Sequence, residues 1–128
     1  MARQRITFVR AQVSLLAEKA DSPEKRARGL MHRRSMGQKE AMVFSFEESA
    51  RHAFWMHNTR IPLTVIFLDE ALIIVDMQNM SPCLDKDPDR CPLYVSAAPA
   101  RYAIEVNQGF VAKYRIKIGD HVVLGAEE

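Results

Sequence analysis

Seven or eight short apolar segments, each bounded by turn residues, predict a mostly-β domain of the α+β class. One segment with helix-start chemistry and no long run of helical period complete the argument. The expected architecture is a compact β-barrel or β-sandwich with one clear helix near residues 22–31. A second, short helix is a candidate near residues 109–115. With 128 residues and no repeat, low-complexity tract or composition shift, the chain reads as a single domain over 1–128.

The elements follow in order. Ile6 to Val9 and Val13 to Ala17 read as short strands, Val13 and Leu15 alternating with Gln12 and Ser14. Asp21 or Ser22 caps the helix, Pro23 sits early in it, and Glu24 lies near its positive end. Ala27, Leu30 and Met31 share one face of that helix, and Gly29 permits close approach of a neighbour. Met42, Phe44 and Phe46 alternate with Val43 and Ser45 as a half-buried strand. Ala53 to Asn58 is a further strand candidate, with Ala53, Trp55 and His57 on one face. Leu63 to Leu68 is apolar except for Thr64 and suits burial on both faces. It pairs with Leu72 to Met77 through a turn at Asp69-Glu70, and this hairpin is expected at the centre of the sheet. In Arg101 to Asn107, Tyr102, Ile104 and Val106 face inward and Glu105 faces elsewhere. Gly119-Asp120 turns the chain into a last strand, His121 to Leu124.

Charge and apolar run lengths narrow the function classes. A net charge of +2 is too small to imply nucleic acid as a partner. Seven of the eighteen basic residues fall between Lys19 and Lys39, but Asp21 and Glu24 interleave with them, as on a solvated helix face. No apolar run approaches the roughly 20 residues of a membrane span. Met1-Ala2-Arg3-Gln4-Arg5 lacks the apolar core of a secretory signal, so the chain as written is expected in the cytoplasm. Oligomeric state is not readable from the sequence.

The segment Phe54-Trp55-Met56-His57-Asn58-Thr59 concentrates the chemistry. It carries the single tryptophan, then an imidazole, an amide and a hydroxyl, and it feeds a stiff apolar strand through Ile61-Pro62. Buried polar groups need partners, and a pocket supplies them through ligand or water. An aromatic wall beside these groups suits a small polar or carbohydrate-like ligand. The plainer alternative has Trp55 in the core, with Asn58 and Thr59 capping the turn. Arg26 and Arg33 lie two helical turns apart and either hold an anionic ligand group or pair with Glu105. Cys83 and Cys91 are separated by seven residues in a polar segment, a spacing unlike a Cys-x-x-Cys redox or zinc motif. A disulfide closing this loop and two free thiols both stay open. The Asp85-x-Asp87-x-Asp89 run fails as a calcium loop, with Arg90 and Ser96 where Gly and Glu belong. Neither a metal nor a cofactor is expected.

Several of these segments together resemble a known family. Arg26-Ala27-Arg28-Gly29-Leu30-Met31-His32-Arg33, Met42-Val43-Phe44, Phe54 to Leu63 and Val65-Ile66-Phe67-Leu68-Asp69 come first. Pro82-Cys83, Cys91-Pro92-Leu93-Tyr94, Tyr102 to Val106 and Gly119-Asp120 follow in order. In this arrangement the chain resembles the DUF192 (UPF0127) family of small bacterial and archaeal domains, from about Val13 to Val123. The resemblance implies a mostly-β fold and no assigned activity. It also implies a periplasmic or secreted location if a leader has been removed, since exported members are common. The family pattern has Lys, Asp and Gly where this chain has His57, Thr64 and Ala41, so a cation at 57 or a carboxylate at 64 is not carried over.

The expectation from sequence is a non-catalytic small-molecule binding domain with its pocket around Phe54 to Thr59. Arg26, Arg33, Trp55, His57, Asn58, Thr59 and Glu105 are its candidate ligand-binding residues. One alternative is a small hydrolase or transferase using His57 as general base. Another is an accessory protein-interaction module.

Overall fold

Leu63–Leu68 (β5) is buried at every position, so it needs strand neighbours on both edges and cover on both faces. In the computed structural model, which describes residues 2–128, it has both. On one side it pairs antiparallel with Ile74–Met80 (β6), on the other with Ala100–Asn107 (β8). The sheet continues from β8 through Glu40–Ala50 (β3), Val13–Ala20 (β2) and Arg3–Phe8 (β1) to Val122–Glu127 (β9). Its order is β6-β5-β8-β3-β2-β1-β9. A two-stranded ribbon of Ala53–Phe54 (β4) and Tyr94–Val95 (β7) lies apart from it. Two short helices, Pro23–Arg28 (α1) and Phe110–Tyr114 (α2), complete the mostly-β fold.

One pairing shapes the rest. β2 and β3 are parallel, and every other neighbouring pair in the large sheet is antiparallel. Parallel neighbours need a long crossover, because a hairpin turn cannot bring the chain back to the same end. Residues Asp21 to Lys39, with α1 inside them, make that crossover and are laid against one face of the sheet. Leu30, within it, packs with Met42, Phe44, Phe54, Phe67 and Ala103 in one buried cluster.

The opposite face carries a second core. Ile6, Phe8, Leu15, Val43, Ile66, Ile104 and Val122 belong to it, with Phe110 of α2. These residues span the whole sheet, which curls around them until its two edges touch at one end. There the Gly119 amide donates to the Ile74 carbonyl (2.8 Å), the Ile74 amide to Asp120 (2.9 Å) and the Val122 amide to Leu72 (2.9 Å). The ladder goes no further, and no closed barrel forms.

Four sequence expectations are corrected. The β5–β6 hairpin lies at an edge of the sheet, because β8 inserts beside β5; a hairpin fixes which strands are neighbours, not where the pair sits. β3 is buried on both faces from Ala41 to Phe44, since both cores use it. α1 ends at Arg28, so Leu30 and Met31 lie in the turn that follows. Ala53 to Asn58 is not one strand: pairing stops at Phe54, and Asn58 sits at φ 56°.

Candidate functional site

Aromatic, aliphatic and charged side chains around the crossover line a half-open cavity of about 280 Å³. Its floor is Glu105. This residue stands on β8 between Met42 of β3 and Val65 of β5, and is only 4% exposed. No hydrogen-bond partner reaches its carboxyl among the described residues. No fully inaccessible side-chain oxygen lacks a partner either, so the carboxyl oxygens touch the cavity. Burial disfavours the charged form and pushes the carboxyl up to about 8. At neutral pH Glu105 is therefore largely the neutral acid, able both to donate and to accept a hydrogen bond.

Above this floor stands the end of α1. The Ser22 hydroxyl accepts from the Lys25 amide (3.3 Å) and Pro23 opens the first turn. The Gly29 amide closes the helix on the Lys25 carbonyl (2.9 Å). Gly29 has φ 49° and ψ −132°, a backbone region open to glycine and strained for other residues. A Cβ there would stand 3.8 Å from the nearer Glu105 oxygen and 3.7 Å from the Phe44 ring. The crossover backbone thus lies directly against the acid.

The walls are aromatic. The Phe54 ring meets Phe44 edge-on at 4.9 Å, Phe67 at 5.6 Å and Phe46 at 6.1 Å. Arg26 reaches over Phe46, its guanidinium 5.5 Å from the ring centre, and donates to the Ser45 carbonyl at 2.9 Å. Trp55, 38% exposed, and Leu93, 66% exposed, stand at the mouth. Thr59 is buried, with its hydroxyl donating to the His57 carbonyl at 3.3 Å.

Four of the residues expected from sequence therefore line one cavity: Arg26, Trp55, Thr59 and Glu105. Three do not. Arg33 pairs with Glu18 beside a separate small pocket, because α1 ends before it. Neither Arg26 nor Arg33 forms an ion pair with Glu105. His57 packs against the Trp55 ring (5.2 Å between centres) but does not line the cavity wall. Asn58 serves the backbone: its amide donates to the Cys83 carbonyl and its carbonyl accepts from His32, both at 2.9 Å. It thereby joins the crossover to the cysteine loop.

Cys83 and Cys91 are disulfide-bonded, with Cα atoms 5.8 Å apart. Cys83 forms isolated bridges with His57 and Thr59, and the chain after Cys91 carries Leu93 to the mouth. Sequence reasoning missed Phe44, Phe46 and Leu93 as lining residues. The glycine inside a helical run was the signal for close approach to the crossover, and Glu105 inside an apolar strand was the signal for the floor. Among the described residues, no group of three His, Cys, Asp or Glu side chains is placed to hold a metal, and no helix is long and apolar enough to cross a membrane.

A family model described as DUF192, Uncharacterized ACR, matches residues 6–124. The chain belongs to the DUF192 family. Two solved structures are similar to this DUF192 domain over nearly its full length. One is a proposed transcription regulator from Sinorhizobium meliloti 1021, 28% identical, with a TM-score of 0.84 over 97% of this chain and 94% of the other. The second is a protein of unknown function from Novosphingobium aromaticivorans DSM 12444, 29% identical, with a TM-score of 0.81 over 94% of this chain and 83% of the other. Among curated proteins, none matches this DUF192 domain.

Proposed function

We propose that this domain binds a small molecule in the cavity above Glu105 and does not transform it. The observation that carries this reading is the Glu105 carboxyl itself. It has no hydrogen-bond partner in the protein among the described residues and opens onto the cavity, so a ligand there can pair with it. The cavity places aromatic walls and one hydrogen-bonding floor group together, the usual composition of a small-molecule site. Catalysis is a weaker reading because Thr59, the one hydroxyl in the wall, is engaged with a carbonyl, and His57 stands outside.

The Sinorhizobium meliloti relative is described as a proposed transcription regulator, but in this chain the net charge is only +2 and three of the seven basic residues between Lys19 and Lys39 are paired with carboxylates. Lys19 pairs with Asp21 and Glu127, Lys25 with Asp21, and Arg33 with Glu18. A phosphate-tracking surface needs a stronger net field.

Trp55 is the sole tryptophan, so its emission reports the site. A fragment library should contain compounds that shift it, and Ala53→Phe, which fills the mouth, should abolish those shifts. Compounds that shift the emission equally in both proteins bind elsewhere, and their exclusive appearance would end this reading.

A further inference from the structure

The charge of the lining specifies the ligand further, if the binding reading above holds. Three charged-type side chains line the cavity: Arg26, Arg28 and Glu105. Neither arginine is paired with a carboxylate among the described residues. Arg26 makes one hydrogen bond, to a carbonyl, and Arg28 makes none. Glu105 is deep, and burial holds its carboxyl largely in the neutral form at neutral pH. Burial orders the three: Glu105 is buried, Arg26 half-buried and Arg28 exposed. The positive groups thus stand at the entrance and a neutral hydrogen-bonding group at the base. Between them lie the rings of Phe44, Phe46, Phe54 and Trp55.

We propose that the ligand is a small organic anion with a flat apolar body, its anionic end held by Arg26 and Arg28 and an uncharged hydroxyl or carbonyl placed against Glu105. Guanidinium groups match carboxylate geometry and are weakly hydrated, which suits a half-open mouth. The flat rings favour a planar body by edge and face contacts. A volume of about 280 Å³ lies at the lower end for ligand sites and suits a small body of one or two rings. A neutral sugar would leave the two arginines unused and set its hydroxyls against aromatic edges. A cationic ligand would meet the like charges of Arg26 and Arg28 at the entrance.

Four probes separate these cases by titration calorimetry with Trp55 emission read in parallel. 4-Hydroxybenzoate carries all three features, benzoate lacks the hydroxyl, 4-hydroxybenzamide lacks the charge, and glucose stands for neutral sugars. We expect 4-hydroxybenzoate to bind about tenfold more tightly than benzoate or the amide, with glucose weaker still. Arg28→Gln, at an exposed side chain with no hydrogen bond or ion pair among the described residues, should weaken 4-hydroxybenzoate several-fold and leave 4-hydroxybenzamide unchanged. Glu105→Met should remove the preference for 4-hydroxybenzoate over benzoate. If the amide or glucose binds as tightly as 4-hydroxybenzoate and Arg28→Gln changes nothing, the anion proposal falls while the binding reading stands. If neither these probes nor the fragment library shifts Trp55 through the cavity, both fall.

Discussion

At the scale of single residues, Glu105 dominates. Unfolded, its carboxyl titrates near 4.5; folded, burial pushes it up to about 8. Between those values the folded state holds a proton that the unfolded state has lost. The contribution of Glu105 to stability is therefore complete below the lower value and is lost as pH rises through the upper one. The loss should be on the order of a few kcal/mol, since each pH unit across the gap is worth about 1.4 kcal/mol. Glu105→Gln keeps the shape and removes the titration. Thermal melts from about pH 5 to about pH 9 should fall for the native chain relative to the variant. Parallel curves would remove Glu105 as the source. The sequence marked this residue as an acid in a strand but offered Arg26 or Arg33 as its partner. Its solitude depends on where α1 stops, and a positive-φ glycine at that end is only one of several ways to read Gly29.

At the scale of elements, the cysteine loop and β5 carry separate predictions. The Cys83–Cys91 bridge closes a short loop, and its removal should cost roughly 2–3 kcal/mol. Cys83 also bridges backbone to the segment that bears Trp55, so a Cys83→Ser, Cys91→Ser variant should shift Trp55 emission as well as stability. A stability loss with unchanged emission would uncouple the loop from the site. In β5, Phe67→Ala should cost about 3–5 kcal/mol, because the ring is wholly buried against Phe54. A loss under about 1 kcal/mol, measured by denaturant unfolding, would take Phe67 out of the core. Strand runs such as Leu63 to Leu68 were legible from apolar continuity alone. The Ala53 to Asn58 strand was not, because its alternating pattern is overruled at Asn58, where two backbone bonds to other segments set a positive φ. A local pattern has no access to such distant partners.

At the scale of the whole molecule, one sheet supports two cores with different duties. β8 shows this within a single strand: Ile104 and Val106 join the core inside the curl, while Ala103 and Glu105 face the crossover side. The order of strands was beyond sequence reasoning, since it depends on which segments return from a distance to pair. The curl itself has a consequence for how such a domain could diversify. Its interior is occupied by side chains drawn from all seven strands. The cavity is built on the outside, from the crossover after β2, the segment after β4 and the loop closed by the disulfide. The first two are anchored in the second core, by Leu30 in the crossover and by Met56 after β4, while Arg28, Trp55 and Leu93 stay exposed. Changes that keep Leu30, Phe54 and Met56 and vary the exposed Arg28, Trp55 and Leu93 would therefore reshape the cavity rim at the least cost to packing.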